Sequence, residues 1–332
     1  MRLSYVLPIK WDAGQDIDEL TGYLESISDH VELLIIDGSA PANFKRHHEA
    51  WARFGKHIPP AASLDFINGK VNGVMTGFRI AQHDKVVIAD DDIRYTVAQL
   101  EHLTQLLDEA HLIVPQNYFA PNPWHAQWDT ARTLLNRALH HDYPGTLALQ
   151  RDFINALGGY DGDVLFENLE LMRTIQAGGG KVLYKPDLFV ERLPPTAMHF
   201  WSQRVRQAYD DYAQPLKLTF FFLLLPGLIS SAFVSPLLPF GLLALSIPVA
   251  EVGRRVHGGT RFFPVASSFY APCWILERGI CTWLALFAKL LNGGVRYNGK
   301  ILSVAANPIW KLRSKINARQ FANSVSIWFL RT

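Results

Sequence analysis

The chain reads as an α/β fold, a mostly parallel sheet with helices on both faces, followed by a C-terminal membrane-associated helical region. Three observations predict it. Over the first two hundred residues, short and almost continuously apolar segments alternate with helical periods, the pattern of strands buried on both faces. Charge is divided unevenly: residues 1–211 carry 19 Lys/Arg against 28 Asp/Glu, and residues 212–332 carry 13 against two. Residues 218–252 form a 35-residue run whose one charge is Glu251, whereas one bilayer crossing takes about 20 apolar residues.

The strands come first. Leu3–Leu7 is a short apolar strand, followed by a helical pattern through Ile17, Leu20, Leu24 and Ile27. Glu32–Ile36 is a second buried strand that ends in Asp37-Gly38-Ser39, and Asp65–Asn68 suggests a short third. Lys70–Gln82 puts Val71, Val74, Met75 and Phe78 on one helix face. Val86–Ala89 is another buried strand, ending in Asp90-Asp91-Asp92; Thr96 then reads as the N-cap of a helix, and His111–Pro115 as one more strand.

The division expected from these patterns is a cytosolic catalytic domain over 1–215, a transmembrane hairpin over 216–252 and a C-terminal part over 253–332. Pro236 and Pro239 mark the hairpin's turn, and Arg254, Arg255 and Arg261 suit a return to the cytoplasmic side. The last part holds a third apolar helix at about 262–291, interrupted by Glu277 and Arg278, and a basic tail. The start of the chain reads as a strand and not as a leader, which keeps the catalytic part in the cytoplasm. Nucleic acid is excluded as a partner, because the basic part is also the apolar part. Cys273 and Cys281 lie eight apart on one helical stretch, about 12 Å along the axis and beyond disulfide reach.

In an open α/β sheet, ligands gather at the carboxyl ends of strands, where Asp37 and the three aspartates stand. Adjacent carboxylates repel one another unless a cation joins them. Asp90-x-Asp92 in a loop can hold Mg²⁺ or Mn²⁺ while diphosphate oxygens fill other positions of the ion. A solvated or helix-capping turn is the plainer reading of such a motif taken alone. Glu167 and Glu170 stand three apart at the start of a helix, so both can face one side, and a helix N-terminus favours their ionised form.

Taken in order, these segments resemble a family-2 glycosyltransferase of the GT-A fold. The matching pieces are Tyr5-Val6-Leu7-Pro8, Leu33 to Ser39, Gly69-Lys70 with Gly77, Val87 to Asp92, Gly158-Gly159-Tyr160-Asp161, and Phe166 to Leu171. With the apolar C-terminal run and Gly293 to Tyr297, the chain is most similar to the membrane-anchored, ceramide-glucosyltransferase-like type. The resemblance implies an inverting, metal-dependent transfer of a sugar from a nucleotide sugar, a UDP-sugar foremost, to a lipid or lipid-linked hydroxyl. It implies that Asp90 and Asp92 hold the metal, with Pro8, Ile9, Asp37, Lys70 and Asp91 around the donor. The family's base sits in a Glu-Asp pair that here reads Glu167-Asn168, and Asn accepts no proton at neutral pH, which leaves Glu167 or Glu170. The family's Gln/Arg-x-x-Arg-Trp is matched by Gln203 and Arg206, with Gln207 at the Trp position; Arg206 suits a diphosphate. Trp201 stands in for that Trp, and with Trp124 and His125 it falls on the acceptor side. A processive polysaccharide synthase and an inactive scaffold share these features; too few apolar segments for a secretion pore speak against the first.

Overall fold

The computed structural model describes residues 1–12, 16–297 and 299–329. The order begins β1 (Ser4–Ile9), α1 (Asp18–Ser28), β2 (Glu32–Asp37), α2 (Pro41–Trp51), β3 (Lys56–Ile58), α3 (Gly69–Ile80), β4 (Lys85–Ala89), β5 (Ile93–Arg94) and α4 (Val97–Leu106). It continues with β6 (Leu112–Phe119), α5 (Trp124–Leu139), β7 (Thr146–Gln150), α6 (Arg151–Ala156), α7 (Glu167–Ala177), β8 (Val182–Arg192), α8 (Ala197–Ser202) and α9 (Arg204–Tyr209). The C-terminal part holds α10 (Pro215–Val234), α11 (Leu238–Ala244), α12 (Ser246–Arg255), α13 (Val265–Phe269), α14 (Ala271–Asn292), β9 (Val295–Tyr297), β10 (Lys300–Leu302) and α15 (Ile309–Phe329).

Eight strands form one sheet in the order β3-β2-β1-β4-β7-β6-β8-β5. The half made of β3, β2, β1 and β4 is parallel. Beyond it, β7 runs antiparallel to both β4 and β6, and β5 antiparallel to β8. β6 and β8 pair in parallel, so six of the eight strands run one way and β7 and β5 run the other. A buried strand has the same composition in either direction, and only its place between neighbours reveals which way it runs. The third strand is β3, not Asp65–Asn68: there the chain bends into α3, and the Asn68 side chain caps that helix by accepting from the Lys70 amide. Thr96 is the N-cap of α4 and forms a reciprocal capping box with Gln99, worth about 1 kcal/mol.

Each sheet face is covered. Leu24, Ile27, Trp51, Leu100 and Leu103 pack on one side. Val71, Val74, Phe78, Met172 and Ile175 pack on the other, joined there by Leu312 and Ile316 of α15. The expected basic tail is thus a docked helix, fixed further by Lys315 to Asp161 at 3.2 Å.

The transmembrane hairpin over 216–252 is corrected. Among the described residues one helix, α10, is long and apolar enough to cross a membrane, and a single such helix is weak evidence for a span. The remainder of the run is divided into α11 and α12, each shorter than a crossing needs. α12 turns back onto α5 so closely that a Cβ on Gly253 would lie 1.8 Å from the Leu134 carbonyl oxygen. The third apolar stretch, α14, carries its charges inward: Arg278 pairs with buried Asp211 at 2.9 Å, and Glu277 accepts from the Trp128 indole at 3.2 Å. The integral-membrane localisation drawn from that hairpin falls with it. Composition reported an unbroken apolar run and was silent on where the chain turns.

Candidate active site

The carboxyl ends of β4 and β8, the start of α7 and the α8–α10 segment enclose a polar cavity of about 240 Å³. Asp90 and Asp92, Glu167 and Asn168, Gln203 and Arg206 all line it. These side chains come from segments up to 116 positions apart. Lys70, at the N-terminus of α3, joins two of them: its ammonium lies 2.5 Å from Asp90 and 2.8 Å from Glu167. Burial would lower the Lys70 pKa, but Asp90 and Glu167 together hold it above the ordinary lysine range. Arg192, the last residue of β8, donates to Asp92 at 2.8 Å and lies 3.6 Å from Asp90. Asp91 points away from this group and accepts from the Trp11 indole.

Asp92 is pushed up to about 6, chiefly by burial and then by Asp90 and Asp91, although Arg192 pulls it down. Its Oδ1 is buried with no hydrogen-bond partner. A Cβ on Gly145 would come within 2.6 Å of Asp90 Oδ2, so glycine there keeps that oxygen uncrowded. An orphaned carboxylate oxygen, a second carboxylate beside it and all-oxygen donors fit a hard divalent cation. Among the described residues no group of three or more His, Cys, Asp or Glu is arranged to hold a metal. A pair of carboxylates suits an ion that completes its shell with water and substrate phosphate.

Other expected residues lie elsewhere. Glu170 faces away from the cavity: it is fully buried and accepts from the Asn307 amide at 2.6 Å and from the Asn307 side chain at 2.8 Å. Three residues along α7 from Glu167 place it on the side that receives the C-terminal segment. Asp37 is 1% exposed, with oxygens taken by His47 at 2.7 Å, His57 at 3.1 Å and the Ser39 amide at 2.8 Å. Ile9 is buried beside it at the end of β1, and Pro8 precedes it there. Trp124 and Trp201 are about half exposed and tilt against one another at 6.4 Å. His125 is buried, with Nε2 at 2.8 Å from the Pro195 carbonyl.

Burial alone would raise Asp37, but His57, Ser39 and His47 hold it down to about 2. A depressed carboxylate adds stability that is complete above the unfolded-state pKa of about 4 and disappears as pH falls toward the folded value. A shift of this size is worth about 2.5 kcal/mol. Urea unfolding of the wild type between pH 5 and 2 is expected to lose about that much more than Asp37→Asn does; parallel curves would remove the role.

Among the cavity residues that escaped the sequence reading are Arg192, Asp210, Lys217 and Arg278. Arg192 is the last residue of β8, a strand that carries Lys185, Asp187 and Glu191 and so does not read as an apolar run. Arg278 is a lone cation inside an apolar helix, a charge that needs a buried partner.

No family model matches this chain, and no curated protein matches it. Solved structures do. A mannosyltransferase from Pyrobaculum calidifontis, solved with GDP-Man and Mn²⁺, is 16% identical over 85% of this chain and 87% of its own, with a TM-score of 0.50. Glucosyl-3-phosphoglycerate synthase from Mycobacterium tuberculosis, solved with Mn²⁺, UDP and glucosyl-3-phosphoglycerate, is 15% identical over 60% and 74%, with a TM-score of 0.43. Mannosyl-3-phosphoglycerate synthase from Rubrobacter xylanophilus is 13% identical over 60% and 69%, with a TM-score of 0.42. The likeness to the Pyrobaculum enzyme is one of fold. The expected family-2, GT-A, ceramide-glucosyltransferase-like and membrane-anchored assignment gives way to this coarser one, a fold shared with a nucleotide-sugar transferase. An order of short motifs indicates a sheet with acids at its rim, and many enzymes outside one family meet that description.

Proposed function

We propose that the chain is a metal-dependent glycosyltransferase that uses a nucleotide-sugar donor. One observation carries this reading: Asp90, Asp92, Lys70, Arg192, Glu167 and Arg206 converge at the carboxyl edge of the sheet. Asp90 and Asp92 would hold Mg²⁺ or Mn²⁺, which when bound neutralises charge on the departing diphosphate. The chain's own groups do the rest. Arg206, over the Tyr297 ring at 5.4 Å, presents a planar fork to phosphate oxygens. Lys70 and Arg192 set the position of the two aspartates. Gln203 lines the same wall, and a carboxylate facing the cavity takes the proton of the attacking hydroxyl as it meets the anomeric carbon from the side opposite the diphosphate. Pro8, Ile9 and Asp37 stand at the paired carboxyl ends of β1 and β2, outside the residues that line the cavity.

The acceptor hydroxyl in this reading is carried by a lipid or a lipid-linked molecule presented at a surface. Its support is that Lys217 and Arg278 of the cavity wall stand on α10 and α14, two helices that expose Leu216, Phe220, Leu223, Phe287 and Leu291. Exposed apolar area of that extent marks an interaction surface, with Trp124 and Trp201 close by.

The test is thermal unfolding with GDP-mannose and with UDP-glucose, each with and without Mn²⁺. A donor at one hundred times its Kd adds about 2.7 kcal/mol, so Tm should rise by roughly 4 °C, and EDTA should cancel the rise. No shift with any nucleotide sugar in the presence of Mn²⁺ would sink the proposal.

A further inference from the structure

Six carboxylates line the cavity: Asp90, Asp92, Asp129, Glu167, Asp210 and Asp211. Five are engaged by cations. Lys70 holds Asp90 and Glu167, and Arg192 holds Asp92. Arg132 and Arg204 hold Asp129 at 3.3 Å each, and Arg278 and Lys217 hold Asp211 at 2.9 and 3.2 Å. Among the described residues, Asp210 is the one cavity carboxylate whose oxygens take part in no ion pair or hydrogen bond. It stands on the short 3₁₀ turn Asp210–Ala213 that joins α9 to α10, four residues beyond Arg206. Asn168, beside Glu167 on the opposite wall, donates its amide to the Pro144 carbonyl at 3.0 Å and cannot accept a proton.

We infer that Asp210 is the general base of the transfer, with Glu167 serving to hold Lys70 and so Asp90 in place. The inference rests on the glycosyltransferase reading above and names the group that reading leaves open. The acceptor's O–H proton passes to an Asp210 oxygen, the acceptor oxygen forms its bond to the anomeric carbon, and the bond from that carbon to the diphosphate oxygen breaks, its electron pair leaving on the diphosphate. A carboxylate already paired with a guanidinium or ammonium is a weak base, since protonation costs it that attraction; Asp210 loses nothing comparable. The charged groups facing it are Arg278 of α14, Arg206 of α9 and Glu167 of α7, with Asp211 next to it. Burial raises Asp210 above the pull of Arg278 and Arg206, and with Asp211 and Glu167 it reaches about 7. That value suits a group that is to be ionised yet basic near neutral pH.

The experiment needs no known acceptor, because water can take that place. Release of nucleoside diphosphate is followed from GDP-mannose or UDP-glucose with Mn²⁺, from pH 5.5 to 8.5, in the wild type, Asp210→Asn and Glu167→Gln; donor Kd is measured alongside by calorimetry. The wild-type rate should rise through about pH 7 and then level. Asp210→Asn should lower it about 10²–10⁴-fold and abolish the rise, with donor Kd within twofold of wild type. Glu167→Gln should slow the reaction but keep the rise. If the wild type binds and cleaves a donor while Asp210→Asn retains its rate and pH profile, the Asp210 role is overturned and the glycosyltransferase reading stands. If the wild type binds neither donor, both fall. Should Asp210→Asn fail to fold, the wild-type profile still decides: a flat rate across that range overturns the role.

Discussion

Asp92→Ala is expected to remove nearly all transfer, about 10³-fold or more, while the protein remains folded. The expected loss is large because the change deletes one of two oxygen-rich side chains that would hold the cation, and electrostatic stabilisation of a leaving group typically carries several kcal/mol. It leaves Arg192 beside Asp90 at 3.6 Å, so that guanidinium keeps an anionic neighbour and the sheet edge keeps its charge balance. Asp92 already pays for burial, as its raised pKa shows, and its removal should therefore move Tm by only a few degrees. Rates of nucleoside diphosphate release with Mn²⁺, together with a calorimetric melt, check both halves. Turnover within tenfold of wild type would take the metal-holding role away from Asp92.

For Glu170→Ala the expectation is reversed: stability suffers and the surviving folded protein still binds donor. Glu170 is fully buried and receives two N–H groups from Asn307. Burial raises its pKa against those two hydrogen bonds. Truncation leaves the buried Asn307 backbone N–H without a partner and its side-chain amide with only the long contact to Asp161 at 3.4 Å, and a buried orphan costs about 1–3 kcal/mol. A loss of that size follows, concentrated where α15 docks on α7. Urea unfolding measures the loss, and hydrogen exchange over residues 305–320 should show it locally. Donor affinity per folded molecule should remain within twofold, since Glu170 does not reach the cavity. A strong fall in affinity with unchanged stability would place Glu170 in the site after all. The two carboxylates of α7, three residues apart, thus serve different neighbours, the cavity for Glu167 and the Asn307 segment for Glu170.

That pair shows how far the sequence carries. Glu167 and Glu170 are indistinguishable in a linear reading: both are acids in a first helical turn at a spacing that lets them share a face. Which of them meets solvent depends on what packs against α7, and the packing partner is Asn307, about 140 positions later. Asp90 and Asp92 were legible because a short apolar strand ending in acids has few explanations inside a buried sheet. Lys70 was legible as a helix start, yet its ammonium bridging Asp90 and Glu167 was not. Asp210 and Arg278 were hidden because they flank or interrupt apolar runs, where charge reads as an interruption and not as one wall of a cavity.

The amino-acid sequence by itself determined the local terms. Apolar runs of five or six residues set the strands, Thr96 and Asn68 start helices by capping, and the acids fall at the strand's carboxyl end because the apolar run stops there. Only the tertiary structure decided strand direction in the second half of the sheet, the break in the 218–252 run and the pairing of each buried charge. The physical reason is range. Propensity, capping and periodicity act within a few residues, whereas an ion pair or a strand neighbour is chosen by proximity in space, and the energy of burying Arg278 or Asp211 has no meaning until the other is beside it.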